Sequence, residues 1–341
     1  MNAIKTKYYL SAAIVCLLGC IGIVYYFFFS NFLRGDSSAE IYIDSDDTAD
    51  SVYVKLTPLA ASHAMSAFRT LANHYSYSTR LHTGHYVLEP GENTIDVFKK
   101  LKNAQQTPVM LTVPAARTMP RMAKLLSDRL MLDSATIAQA LTDSAFCAQH
   151  GFSTATIPAL FIPNTYEVYW NMSIDRLMER MKREHDAYWT KERQQKADAL
   201  GLTPVEVATL ASIIDEETAN DGEKPMIAGM YLNRLKKGML LQADPTVKFA
   251  LQDFSLRRIL NKHLTVDSPY NTYRYRGLPP GPIRVAGTAA LDAVLNAAQH
   301  DFLYMCAKED FSGTHNFART LSEHMANARR YQQALNQRGI K

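Results

Sequence analysis

The sequence predicts an α+β protein carried on a single N-terminal transmembrane helix, with a small mixed unit first and a larger, mainly helical unit after it. Three observations predict this. Tyr8 to Phe29 is a run of 22 residues without a charge. Short β-branched and aromatic alternations then mix with helical patterns up to about residue 113. Beyond that point apolar residues recur at helical spacing, interrupted by proline-rich loops.

At about 1.5 Å per residue the apolar run is about 33 Å long, enough to cross a bilayer. Tyr25, Tyr26 and Phe27 to Phe29 suit an interfacial aromatic belt. Lys5 and Lys7 precede the run; Arg34 follows, and then Asp36, Glu40, Asp44, Asp46, Asp47 and Asp50. The positive-inside rule puts residues 1–7 in the cytoplasm and everything after the span outside. A cleaved signal peptide would have a shorter apolar core and a small-residue cleavage site, and neither is evident. Leu17-Leu-Gly-Cys20 has the form of a lipoprotein box, but apolar or small residues continue to Phe29, where a mature lipoprotein turns polar.

The rest of the chain fits about two domains. A net charge of +4 and the lack of a basic cluster with interleaved aromatics give no sign of nucleic-acid binding. No metal-ligand spacing and no cofactor motif is present. Cys147 and Cys306 lie outside the span, where an oxidising compartment would allow a disulfide, but sequence does not say whether they meet.

Residues 30–50 read as a linker, polar and acidic from Ser37 to Asp50. Ile41 to Ile43 and Val52 to Leu56 read as strands. Leu59 to Tyr75 reads as a helix, Thr83 to Gly91 as strand and turn, Thr94 to Lys102 as a helix capped by Asn93 or Thr94, and Pro108 to Val113 as a strand. These make a small α+β unit over about 38–113, with 51–113 as its domain proper. Residues 114–341 form the second, with helices expected over Met119 to Leu130, Ser134 to Thr142 and Ile174 to Leu200, and a loop at Ile162 to Tyr166. Thr203 and Pro204 open another helix, and one from Pro225 to Lys237 stops at Gly238. Gln242 to Val247, Ser268 to Tyr273 and Gly277 to Ile283 read as loops of the kind that carry binding residues. Strands are expected at Phe302 to Tyr304 and within Gly313 to Phe317, and a closing helix over Leu321 to Asn336.

The helix opened by Thr203 ends in three acids. Val207, Leu210, Ala211 and Ile214 form an apolar stripe, and Glu217 falls near its edge, roughly 50° from its centre. Asp215 and Glu216 point away, toward water. A carboxyl held against apolar surface has a raised pKa and suits a general acid near neutrality. An ordinary amphipathic helix with an acidic last turn has the same pattern.

In order, Ala211 to Thr218, Tyr231 to Leu235, Gly238 to Val247, Tyr270 to Tyr273, Gly277 to Gly281 and His315 to Phe317 resemble the motifs of the YceG-like (MltG) endolytic murein transglycosylases. The resemblance runs over about 80–337. It implies a LysM-like first domain, weakly echoed in Gly84 to Gly91, and a mixed α+β catalytic domain at 114–341 with its catalytic Glu on a helix. The family's catalytic glutamate falls on Glu217. At the family's first glutamate this chain has Asp215, and Asn164 stands where the family has an aspartate. The implied reaction cuts the β-1,4 bond after N-acetylmuramic acid in glycan strands and leaves a 1,6-anhydro end, with no cofactor. The expected protein is anchored in the inner membrane beside peptidoglycan synthases. Gln242, Asp244, Tyr270, Asn271, Thr272, Tyr273 and His315 are the candidates for holding sugar.

Several candidates also have structural readings. Asp244 before Pro245 suits a turn cap, His315 a strand-packing role, and Arg234, on the apolar side of its helix, a buried ion pair. Tyr166 and Trp170 suit core packing better than a glycan groove. Two other functions stay open: an inactive wall-binding scaffold, and a true hydrolase. The hydrolase would need a second carboxylate at about 6.5–9.5 Å for inversion or about 5–5.5 Å for retention, with Asp244 the candidate.

Overall fold

The computed structural model describes residues 2–256 and 258–338, with side chains from residue 7 onward, so Met1, Arg257, residues 339–341 and the Lys5 side chain lie outside the described residues. The chain is mixed α and β and forms two compact units: residues 1–111 with 129–131 and 167–172, and the remainder.

In the first unit α1 (Asn2–Phe28) presents its apolar surface outward, and Lys7–Phe28 is long and apolar enough to cross a membrane. The chain then enters the folded unit at once. Phe32 is fully buried, its N–H donates to the Glu92 carbonyl at 2.8 Å, and its carbonyl accepts from the Ala61 N–H at 2.8 Å. Thr94 Oγ1 donates to the Phe27 carbonyl, 3.1 Å away. Residues 30–50 are therefore not a linker, because their apolar members complete the first core. β1 (Ala39–Ile43) pairs antiparallel with β2 (Gly84–Leu88), with Ile41 opposite Tyr86 and both buried. Between them come α2 (Ala49–Leu56) and α3 (Ser62–His74).

The strand expected at Val52 to Leu56 is the helix α2. Thr48 and Ser51 form a capping box at its start, and Val52 and Leu56, four apart, are both buried. The β-branched pair Val52 and Val54 imitates strand alternation, but Val54 points to solvent. α4 (Thr94–Lys102) starts at Asn93, whose side chain accepts from the N–H groups of Ile95 and Asp96. β3 (Val109–Val113) follows and pairs with β4 (Asn164–Val168), which replaces most of the loop expected at 162–166.

The second unit begins with α5 (Met119–Ser127), α6 (Ser134–Thr142) and α7 (Ser144–Gln149). The single helix expected over 174–200 is two, α8 (Ile174–Tyr188) and α9 (Lys191–Leu200). Thr190 stops the first and caps the second by accepting from the Arg193 N–H, and Trp189 is buried at the corner. α10 (Pro204–Glu217) opens on a Thr203–Glu206 capping box. Every residue from Val207 to Ile214 is buried, so the helix is enclosed all round and does not show the expected single stripe. α11 (Lys224–Lys236) ends at Gly238 with φ +61°.

The motif loop expected at 242–247 mostly becomes α12 (Asp244–Leu251). Pro245 sits in its first turn, where proline needs no donor, and Thr246 and Val247 are buried. α13 (Thr288–Leu295), absent from the sequence reading, packs on α10 and α11. β5 (Tyr304–Ala307) pairs antiparallel with β6 (His315–Ala318), so the strand expected at 302–304 starts at its last residue, and α14 (Leu321–Gln337) packs on both.

Gly281 packs against the backbone of Ala155 so closely that a Cβ would lie 2.1 Å from its carbonyl oxygen. Gly281→Ala should therefore lower stability by about 2 kcal/mol or more, read by urea unfolding. Gly35→Ala, which meets open space, should leave it unchanged.

Candidate active site

The site is built on the last turn of α10. Three carboxylates there sit at the negative end of the helix dipole, an unfavourable place for charge. Asp215 and Glu216 are not directed to water as their helical angle predicts. Asp215 Oδ1 accepts from Lys224 Nζ at 2.7 Å, Oδ2 accepts from the Gly287 N–H at 2.6 Å, and both side chains of the ion pair are about 8% exposed. Glu216 Oε1 accepts from Arg117 Nε at 2.7 Å and from Arg284 Nη1 at 2.8 Å. The helical wheel failed because α10 has no solvent side at this end: α11 and the segments around residues 117 and 284 enclose it.

Glu217 differs. Its Oε1 accepts one hydrogen bond, from the Tyr231 hydroxyl at 2.7 Å, and no cation among the described residues pairs with it. Burial pushes its pKa up to about 7; the negative charge of Asp244 adds to the rise, while the Tyr231 hydrogen bond and the charges of His315 and Lys248 oppose it. Tyr231 is itself enclosed, and burial next to Glu217 drives its pKa well above the ordinary phenol value, so it remains a donor.

Glu217 opens on a cleft of about 380 Å³. Of the expected sugar-holding residues, Gln242, Asp244, Tyr273 and His315 line this cleft with it. Gln242 is exposed in the left-handed region at φ +51°. Asp244, the first residue of α12, accepts from the Tyr273 hydroxyl at 2.6 Å. His315 Nδ1 lies 2.8 Å from Glu223 Oε2, and the His315 N–H donates to Glu223 Oε1 at 2.6 Å, so one buried carboxylate fixes both ring and strand.

Three candidates do not face Glu217. Asn271 is fully buried: its amide donates to the carbonyls of Leu264 and Val266 and its oxygen accepts from the Tyr273 N–H at 3.0 Å. Thr272 Oγ1 is 2.8 Å from Thr246 Oγ1 and accepts from the Ala243 N–H. These side chains are spent on bracing the loop that presents Tyr273. Tyr270 lies against Phe249 and lines a different, smaller cleft.

Arg234, expected in a buried ion pair, has none among the described residues. Arg234 is about 7% exposed, and its guanidinium donates to the carbonyls of Leu240, Leu241 and Leu303 and lies over the Tyr304 ring at 5.3 Å. The Asn164 side chain accepts from its neighbour, the Thr165 N–H. Tyr166 is buried, and Trp170 packs edge-on to Tyr42. Cys147 and Cys306 are unpaired; the first is buried and the second lines the Glu217 cleft. Among the described residues no three His, Cys, Asp or Glu side chains are grouped to hold a metal ion.

Sequence reasoning missed Tyr231, Glu223, Lys224, Arg117 and Arg284. Tyr231 had a signal, since it lies one turn from Arg234 on the same face of a motif-bearing helix. Arg117 lies 99 residues from its partner, and no local pattern points to it.

A family model described as the YceG-like family matches residues 41–330. The chain belongs to the YceG-like family. It is 28% identical over 285 residues to a Bacillus subtilis protein named endolytic murein transglycosylase, covering 77% of each chain. It is 26% identical over 270 residues to a Streptococcus pneumoniae protein of the same name, covering 68% of this chain and 48% of that one. The crystal structure of a yceG-like protein from Listeria monocytogenes superposes with a TM-score of 0.56 at 27% identity, covering 86% of this chain and 99% of that one.

The native Glu217 holds its proton more tightly than the unfolded chain does. The stability this contributes is present below about pH 4.5 and is lost as pH rises through about 7. Glu217→Gln should accordingly stabilise the protein at pH 8, by up to about 3 kcal/mol, and change little at pH 4, as measured by denaturant unfolding at both pH values. Tyr231→Phe removes the donor to the carboxylate and should raise the Glu217 pKa by about one unit, read by NMR titration.

Proposed function

We propose that this protein is a membrane-anchored endolytic lytic transglycosylase that cleaves the β-1,4 bond after N-acetylmuramic acid within peptidoglycan strands. The observation that carries this is Glu217: a carboxyl without a cation partner among the described residues, in a cleft, with its pKa pushed up by burial to about 7. Family membership and the names of the curated relatives support the same reading.

One carboxyl suffices for the reaction. Protonated, Glu217 delivers its proton to the oxygen of the departing N-acetylglucosamine as the C1–O bond breaks. The 6-hydroxyl of the same muramic residue then bonds to C1, and the Glu217 carboxylate takes that hydroxyl's proton. The products are a 1,6-anhydro end and a free 4-hydroxyl, and Glu217 is protonated again. Tyr231 is the positioning donor that holds the carboxylate between the two steps. Asp244 with Tyr273, Gln242 and His315 are the groups we assign to sugar hydroxyls and acetamido groups.

In the same proposal α1 spans the inner membrane with residues 1–7 cytoplasmic, and both units lie outside, beside the synthases that make the strands. The α+β build of the first unit supports reading residues 51–113, with the strand before them, as LysM-like, and 114–341 as the catalytic domain.

Mass spectrometry of products from uncrosslinked strands tests the activity. Internal cuts with 1,6-anhydromuramic ends are expected. Their rate should drop about 10²–10⁴-fold in Glu217→Gln. For the wild type, kcat/KM should fall as pH rises through about 7, where the acid loses its proton. Reducing ends would mean that water attacks, and intact strands bound by folded protein would make this chain a scaffold.

A further inference from the structure

The second unit carries another cleft, of about 140 Å³, lined by Phe249, Gln252 and Tyr270 together with Arg117, Thr118 and Thr154. The rings of Phe249 and Tyr270 lie 4.6 Å apart and form an aromatic wall. Two hydroxyls and an amide stand around that wall. An apolar surface with a few polar groups is the ordinary make-up of a small-ligand site.

α12 joins the two clefts. Asp244, at its start, lines the Glu217 cleft, while Phe249 and the capping residue Gln252 line the second. Asp244 and Lys248, four residues apart, share one side of the helix, and the chain turns left-handed at Gln252 just past its end. Lys248 is half-buried, and its charge acts on Glu217. Among the described residues its ammonium has no hydrogen-bond or ion-pair partner. The clefts share a second support as well, because Arg117 of the smaller one holds Glu216, the neighbour of Glu217.

We infer that this side of α12 is a track for the glycan strand: the strand is cut at Glu217, and a sugar further along it seats in the second cleft against Phe249 and Tyr270. The inference rests on the proposed transglycosylase reading and adds a distal subsite to it. Between the clefts Lys248 meets a carboxylate carried by the strand, either on the lactyl group of muramic acid or on a stem peptide. Tyr270, which does not reach Glu217, acquires a role as the wall of this subsite.

The test uses the full-length chain in detergent micelles, carrying Glu217→Gln to prevent turnover, and fluorescent murein tetrasaccharides and dodecasaccharides. Long strands should bind about tenfold more tightly than short ones, a margin that a stacked ring and one or two hydrogen bonds supply. Gln252→Gly and Thr154→Trp should each abolish that margin. The first is free of backbone strain because Gln252 already has φ +52°, and the second fills the cleft. A margin that survives both changes, or affinity that falls equally for both lengths, overturns the subsite. Cleavage by the wild type is followed in parallel: length-dependent binding without anhydro ends upholds the track and removes the activity, so the two readings fail separately. Lys248→Ala separates the carboxylate sources. Weaker binding of peptide-free strands assigns the lactyl group, weaker binding of peptide-bearing strands alone assigns the stem peptide, and no change on either removes Lys248 from the track.

Discussion

The structure of the second unit turns on the neutralisation of consecutive carboxylates at the enclosed end of α10. The helix dipole opposes negative charge there, and burial opposes it further. Asp215 and Glu216 are compensated by Lys224, Arg117 and Arg284. Glu217 is buried and, among the described residues, receives a neutral phenol and no cation, so it keeps its proton up to about pH 7. The same ion pairs fix the frame of the cleft. Lys224 is the first residue of α11, which carries Tyr231, and the Gly287 N–H held by Asp215 precedes α13. The shorter Asp215 suits this arrangement: a Cβ on Gly287 would lie 3.1 Å from its Oδ2, so the backbone comes to the carboxylate and no longer side chain is needed.

Around that frame, polar side chains that look like ligands act as internal struts. Asn271, Thr272 and Thr246 interlock the loop after residue 268 with the start of α12, and Arg234 ties α11 to the backbone at residues 240, 241 and 303. Each satisfies backbone groups that irregular chain would otherwise leave unpaired in the interior. Cleft polarity is left to a few groups on its wall, with Asp244 and Tyr273 on one hydrogen bond and His315 and Glu223 on another.

Much of this was legible where local rules govern. The capping of α4 by Asn93, the Thr203–Pro204 start of α10 and the Gly238 stop of α11 are set by neighbouring residues, and the sequence carries them openly. Helical spacing places Glu217 at the edge of an apolar stripe, facing the interior or a cleft; it lines a cleft, on a helix that is buried all round. Legibility failed where distant contacts decide. Asp215 and Glu216 look solvent-facing until α11 and the Arg117 and Arg284 segments arrive. Asn271 and Thr272 are indistinguishable from ligands until their backbone partners are known. α2 and α12 differ from the strand and the loop their sequences suggest, because a β-branched alternation and a proline-bearing motif each fit a helix once its first turn is satisfied.

The join between α1 and the first unit has a mechanical consequence. Thr94 donates to the Phe27 carbonyl, Asn31 and Leu33 form antiparallel β-bridges with Asn93 and Ala60, and Tyr26 stacks on His63 with ring centroids 4.1 Å apart. There is no slack tether between the apolar helix and the fold. In a chain held in a bilayer by α1, a helix that leans to match a thinner membrane carries this unit over with it. Lipid thickness then sets how the first unit stands above the surface, a mechanical input that a flexible stalk would have absorbed.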